Sequence, residues 1–243
     1  MNMRYSLRIA SVVSLLAVSA TAGAQPLVET HHDEFRQRLA APADDSAIVT
    51  NIRATRAQSD LSVDAVHDES AWGFAEPIST FTQREPDEGR AATERTEVRV
   101  VYNEEAMFVS ARMYDSAPDS IVARLGRRDA DLDSDHFVVF LDPYNDDRSG
   151  YYFGINAAGT LYDGVMMNDD WDDDSWDGVW EGKARIDEEG WYAEFRIPYS
   201  QLRFYAADSH IWGVNFRRGI SRKNEISYIV YTPRDESGFG SRF

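Results

Sequence analysis

The chain has 243 residues, and its 25 Lys and Arg stand against 42 Asp and Glu, which gives a formal net charge of −17 at pH 7. This balance argues against nucleic acid as a partner, because phosphate binding needs clustered cations. A hydrophobic content of 43% excludes disorder throughout, and the lack of Cys excludes disulfides, thiolate metal sites and cysteine nucleophiles.

The first 24 residues have the three parts of a secretory signal peptide. Arg4 and Arg8 form a basic start, and residues 9–21 are apolar or small. Residues 22–24 (Ala-Gly-Ala) supply a small-x-small cleavage site. The apolar run is shorter than the roughly 20 residues that a membrane-spanning helix needs. We therefore predict removal of residues 1–24 and an exported protein in the periplasm or cell envelope.

Residues 25–58 are predicted to form a linker, mostly disordered or with a short helix. The segment is polar, and Phe35 is its only aromatic residue. The folded core is predicted to begin at residue 59, because all six tryptophans lie beyond that point: Trp72, Trp171, Trp176, Trp180, Trp191 and Trp212. Short helices are predicted only at residues 69–74 and 200–205.

Beyond the linker, apolar and polar side chains alternate with a period of two. The alternation is seen at residues 98–102, 107–113, 180–187, 191–197 and 212–217. Such alternation predicts strands with one buried and one exposed face. Residues 137–141 are apolar throughout, which predicts a strand buried on both faces. Further strands are predicted at residues 151–156, 160–165 and 225–232.

Short polar turns separate these segments, and helical patterns are scarce. About nine or ten short strands joined by turns indicate an all-β fold. We expect an antiparallel β-sandwich of jelly-roll-like architecture over residues 59–233.

Residues 63–72, Val-Asp-Ala-Val-His-Asp-Glu-Ser-Ala-Trp, resemble the opening motif of the family-9 carbohydrate-binding modules, which is apolar-Asp-Gly-x-Leu-Asp-Glu-x-x-Trp. Later segments resemble strands of that family in the same order: 97–102, 107–115, 135–142, 150–152 and 190–198. The resemblance covers residues 59–233. It implies a family-9 type sandwich that binds a saccharide at its loops and is not catalytic.

The chain is closer still to bacterial exported proteins in which such a module precedes a C-terminal domain like an outer-membrane β-barrel. Segments typical of that subgroup are 92–97, 156–159, 195–198 and 200–204. Residues 234–243 would lie where the barrel begins, so the resemblance implies the start of a missing downstream segment. It also implies an alternative function: a structural or accessory periplasmic domain, partnered by the barrel or another envelope component, with no small ligand of its own.

Several positions depart from the pattern of sugar-binding family members. In this alignment a sugar-sandwiching Trp falls near Leu132, a polar strand contact falls at Val138, and an Arg is replaced by Gly154. Asn156 alone is kept from that polar set. These losses favour the accessory-domain alternative.

An acidic segment at residues 163–177 holds seven Asp and neither Lys nor Arg. Four acids fit positions 1, 3, 5 and 12 of a calcium-loop spacing: Asp170, Asp172, Asp174 and Glu181. Ser175 stands where that loop needs Gly, and a strand follows, so this is not an EF-hand. The segment is therefore either a calcium site or a solvated acidic loop.

Trp171 and Trp176 lie in the same acidic segment. We predict that their rings stack on a sugar while Asn156 and Asp135 form hydrogen bonds to its hydroxyl groups. Two alternatives stay open at this stage. One or both indoles cap the end of the sandwich, or Asp135 pairs with Arg128.

No metalloprotease, serine-hydrolase, phosphate-loop or dinucleotide motif is present in the sequence. Paired carboxylates for glycoside hydrolysis stay open in so acidic a chain. Haem ligation by Met107 or Met113 is disfavoured, because both lie on the core phase of a strand. The sequence favours a non-enzymatic module, at most an accessory in carbohydrate catabolism.

Overall fold

The alternating segments form two packed β-sheets. The computed structural model describes residues 4–8, 51–59, 61–66, 70–169 and 171–243, with the backbone alone for residues 4–8 and 51. In chain order its strands are β1 (Arg4–Arg8), β2 (Asn51–Ile52), β3 (Thr55–Arg56), β4 (Thr82–Glu85), β5 (Thr96–Tyr102), β6 (Ala106–Tyr114), β7 (His136–Asp142), β8 (Gly150–Asn156), β9 (Leu161–Met167), β10 (Trp171–Asp173), β11 (Glu181–Asp187), β12 (Gly190–Pro198), β13 (Ser209–Ile220) and β14 (Glu225–Tyr228).

The larger sheet has nine strands and the smaller has five. The order in the nine-stranded sheet is β10-β9-β8-β7-β13-β1-β2, and β14 pairs with the later part of β13 and with β4. The order in the five-stranded sheet is β11-β12-β6-β5-β3. Neighbours are antiparallel except β1 with β13 and β3 with β5, which are parallel. The predicted all-β sandwich is confirmed, and the two parallel pairings are additions to it.

The predicted strands match β5 to β9 and β11 to β14, but one predicted helix is wrong. Helix α1 (Ser70–Gly73) lies inside the predicted segment 69–74. At residues 200–205, by contrast, a single turn at Tyr199–Gln201 gives way to extended chain, because Leu202 is drawn into the core. No helix in the described part of the chain is long and apolar enough to span a membrane.

The sheets also include residues that the sequence analysis assigned to the signal peptide (β1) and to the linker (β2 and β3). Strands β2 and β3 add to the two sheets, and the Ile52 and Ala54 side chains are buried in the core. Residues 9–50, which contain the predicted signal-peptide cleavage site and most of the linker, lie outside the described residues.

Aromatic side chains fill the space between the sheets. Phe137 of β7 lies 6.0 Å from Phe195 of β12, measured between ring centroids, and Trp180 stacks on Phe195 at 5.6 Å. Trp191 and Trp212 also lie in this core, whereas Trp72 packs in a second cluster with Val101 and Phe108. As the alternation predicts, Met107 and Met113 also lie in the core between the sheets.

A buried arginine on β13 joins the two sheets. The Arg218 guanidinium is fully buried and donates hydrogen bonds to the carbonyls of Tyr114 (2.6 Å) and Arg95 (2.9 Å) and to Oγ1 of Thr96 (3.0 Å). Burial lowers its pKa to about 10, so the group is charged at neutral pH. Because neighbouring residues of a strand face opposite sides, Arg217 points away from the core.

Replacing Arg218 tests this connection between the sheets. We expect Arg218→Leu to lower the free energy of unfolding by about 3–5 kcal/mol, since it strips carbonyls and buried acids of their partner. Denaturant unfolding measures the loss, with the exposed Arg203→Leu as matched control. A loss below about 1 kcal/mol in Arg218→Leu would show that this arginine does not hold the sheets together.

Candidate functional site

The outer face of the nine-stranded sheet, turned away from the five-stranded sheet, carries a groove. Two adjoining cavities of about 390 Å³ each share Tyr152, Tyr162, Asp172 and Arg217 as lining residues. We call this joined space the groove. Its β14 end is lined by Arg84, Phe140, Trp171, Tyr228 and Phe239, and its β9 end by Asp129, His136, Asn156, Asp163 and Asp174.

The pairing register places the floor of the groove in one row across five strands. From β14 to β9 the direct partners are Tyr228, Arg217, Val138, Gly154 and Tyr162. Val138 and Gly154, the two small residues of the row, are covered: Val138 is fully buried, and the Tyr162 ring lies over Gly154. The guanidinium of Arg217 lies over the Phe140 ring (5.6 Å) and beside the hydroxyls of Tyr162 and Tyr228.

Glycines on neighbouring strands seat the aromatic rings of the floor. Tyr162 is the direct partner of Gly154, and Tyr152 is the direct partner of Gly164. A Cβ added to Gly154 would lie 2.2 Å from the Tyr162 ring, and one added to Gly164 would lie 2.4 Å from the Tyr152 hydroxyl. Each ring therefore lies against the backbone of the next strand, and together the rings form an aromatic floor.

His136 offers the groove a neutral imidazole. Its Nδ1 lies 3.0 Å from the carbonyl oxygen of Ser134, and its Nε2 is buried with no partner among the described residues. Burial, aided by the nearby charge of Arg217, lowers the pKa of His136 to about 4. The ring is thus neutral at pH 7; with the Nδ1 proton donated to Ser134, Nε2 is left as an acceptor.

The two candidate tryptophans lie in different cavities. Trp171 is 56% exposed and stands at the rim of the groove. Trp176 instead packs against Tyr151 (5.2 Å) and Phe153 (6.0 Å) and lines a separate cavity of about 470 Å³. The structure therefore does not bring the two indoles together, and Trp176 corresponds to the capping alternative.

Asn156 lies at the β9 end of the groove with its side chain already engaged. Its Nδ2 donates to the carbonyl of Arg124 (2.7 Å), and its Oδ1 accepts from the backbone N–H groups of Ala158 (3.0 Å) and Thr160 (2.9 Å). These bonds shape the hairpin between β8 and β9, so Asn156 acts mainly by positioning that hairpin.

Asp135 lies in the protein interior. It is fully buried, and its Oδ1 accepts a hydrogen bond from the backbone N–H of Ser221 (3.0 Å). Burial raises its pKa. Arg128 pairs with Asp163 instead, so neither the ligand contact nor the Asp135–Arg128 pair predicted from the sequence is present. The reason is the pleat of the chain before β7, which turns Asp135 inwards.

The three described acids of the predicted calcium loop, Asp172, Asp174 and Glu181, do not form one cluster. Asp170 lies outside the described residues, while Asp172 and Asp174 line the groove. Glu181 lies on β11 of the other sheet, where its carboxylate is 3.3 Å from Nη1 of Arg196. Strand β10 and the following turn therefore separate positions that are close in sequence.

A different acidic cluster is present at the β9 end of the groove. Carboxylate oxygens of Asp129, Asp163 and Asp177 lie within 4.8 Å of one another. Arg128 pairs with all three: it contacts Asp163, and its Nε lies 3.7 Å from Asp129 and 3.4 Å from Asp177. The single guanidinium offsets one of the three negative charges, and calcium binding stays a prediction.

Sequence analysis missed the floor of the groove, although a signal for it exists. Both β8 and β9 contain the triplet Tyr-x-Gly, at residues 152–154 and 162–164. With a period of two, each triplet places a Tyr and a Gly on the same face. Antiparallel pairing then sets each Tyr opposite the Gly of the other strand, but only the register shows this.

Comparison with known proteins gives a family and a fold. The family model described as "carbohydrate family 9 binding domain-like" matches residues 63–223. A search of curated proteins finds no significant match.

Among solved structures, the chain is similar to a candidate carbohydrate-binding protein from Bacteroides uniformis, with 14% identity and a TM-score of 0.61 over 78% of this chain and 94% of that one. A family-9 carbohydrate-binding module from Caldicellulosiruptor kristjanssonii in complex with glucose has 14% identity and a TM-score of 0.53, over 76% and 92% of the two chains. At this level of identity the likeness shows a shared fold.

The contact between Tyr162 and Gly154 can be tested by substitution. We expect Gly154→Ala to lower the free energy of unfolding by about 1–3 kcal/mol, because the new methyl group collides with the ring. In a Tyr162→Ala background the same change should cost much less, which a double-mutant cycle measures. Gly73→Ala, where a Cβ meets nothing within 4 Å, is the control. Equal costs in both backgrounds would show that the ring does not occupy this position.

Proposed function

We propose that this chain, which belongs to the carbohydrate family 9 binding domain-like family, binds a saccharide in the groove on the outer face of its nine-stranded sheet. The observation that carries the proposal is the aromatic floor formed by Tyr152 and Tyr162 over Gly164 and Gly154. Aromatic rings that line a groove offer a surface for the apolar C–H face of a pyranose ring.

Polar groups around the floor suit the hydroxyl groups of a sugar. Arg217 supplies donors, and the carboxylates of Asp172 and Asp174 supply acceptors. Such a mixture of apolar surface and a few placed polar groups is typical of small-ligand sites. Trp171 stands at the rim, where its exposed ring can cover a bound sugar from the side.

Binding measurements test this proposal. A glycan array followed by calorimetric titration should give at least one saccharide ligand, with glucose and its oligomers as first probes. Tyr152→Ala and Tyr162→Ala should each weaken binding roughly tenfold or more, since each removes a stacking surface. Trp171→Ala should cost less, because that ring lies at the rim.

The matched control is Tyr205→Ala, whose ring is 73% exposed and lies outside the groove. Tyrosine variants that bind like the unchanged protein would move the site elsewhere. Silence across the whole array would contradict saccharide binding and leave the alternative role, an accessory envelope domain without a small ligand.

We also propose that the protein is exported. Support comes from the basic start, apolar run and small-x-small site within residues 1–24. An exported protein can contact saccharides in the periplasm or outside the cell.

A further inference from the structure

We propose that the groove selects acidic saccharides, with the carboxylate of a uronic acid residue bound at its β14 end by Arg217 and Arg84. This inference rests on the proposed saccharide binding and names the class of sugar. It depends on the charges at the two ends of the groove.

Two arginines at the β14 end have no carboxylate partner in the described part of the chain. Arg217 and Arg84 both line that cavity, and both are partly buried. The Nε of each is buried and has no hydrogen-bond partner among the described residues. Neither takes part in an ion pair there, although the chain has 42 acids for 25 basic residues.

Two acids at the same end are engaged elsewhere. Asp169 accepts hydrogen bonds from the backbone N–H (2.6 Å) and Oγ (3.0 Å) of Ser241. Glu236 pairs with Arg242. The third acid, Asp172, lies where the two cavities join and forms no ion pair with Arg217 or Arg84 among the described residues.

Three other arginines of the protein have carboxylate or carbonyl partners within the described structure. Arg112 lies 2.9 Å from Asp187, Arg222 lies 2.5 Å from Asp115, and Arg218 donates to the backbone carbonyls of Tyr114 and Arg95. A buried cation without a counterion is costly, and the cost falls when an anion arrives. A ligand carboxylate can supply that charge and accept two parallel hydrogen bonds from a guanidinium.

The opposite end of the groove fixes the orientation. Asp174 lines the β9 end alone, and Asp172 lies where the two cavities join; both repel a ligand carboxylate placed beside them but accept hydrogen bonds from hydroxyls. The aromatic floor lies between the two ends. A pyranose ring on the floor with its carboxylate toward β14 satisfies all three regions, whereas a free inorganic anion contacts only the arginines.

Matched sugars that differ only at C6 test the inference. Methyl glycosides of glucose, galactose and mannose are titrated into the full chain beside the corresponding methyl uronides, with affinity followed by calorimetry or NMR at pH 7. We expect at least one uronide to bind tenfold or more tightly than its neutral counterpart. Arg217→Gln and Arg84→Gln should each reduce that preference, measured as the ratio of uronide affinity to neutral-sugar affinity within the same variant.

Arg185→Gln, an exposed change on the other sheet, is the control and should leave the preference intact. Equal affinity within all three pairs overturns the inference but leaves saccharide binding standing. Failure of every sugar to bind overturns both. Sodium sulfate binding as tightly as the best uronide overturns the inference in favour of a simple anion site.

Discussion

The pleat of β13 places adjacent arginines on opposite sides of one sheet. Arg218 points inwards and is held by carbonyls of the five-stranded sheet, so it fixes β13 against the core. Arg217 then has to point outwards, into the groove. A shift of one residue would bury Arg217 and expose Arg218, so the buried hydrogen bonds protect the register on which the groove depends. Strand β13 therefore contributes both a residue that stabilises the sandwich and a residue of the proposed binding groove.

The floor of the groove consists of large side chains that cover small ones. Val138 is fully buried and the Tyr162 ring lies over Gly154, so the groove is lined by Tyr152, Tyr162 and Arg217. The glycines also hold the tyrosine rings against neighbouring backbone, so little ring freedom is left to lose on binding. Binding to such a preformed surface loses less conformational entropy than binding to a site built from mobile loops. The family resemblance implies a binding site at the loops, whereas the proposed groove lies on the face of the nine-stranded sheet.

Sequence predicted the strands well because alternation reports burial directly. It predicted the site less well because a site depends on which strands pair and in which register. The sequence makes Asp135 a ligand candidate, but in the fold its side chain is fully buried. Trp176 lies in an acidic segment that suits sugar binding, but its ring packs on Tyr151 and Phe153. Conversely, Gly154 counts as a lost contact in the alignment, yet in the fold it seats the Tyr162 ring.

The central claim is that a sugar ring lies on the tyrosine floor. Intermolecular nuclear Overhauser effects between a bound saccharide and the aromatic protons of the protein measure this most directly. The account predicts contacts from one face of the sugar ring to Tyr152 and Tyr162, with weaker contacts to Trp171. Contacts confined to Trp176 and its separate cavity would contradict it and return the site to the far side of the sheet.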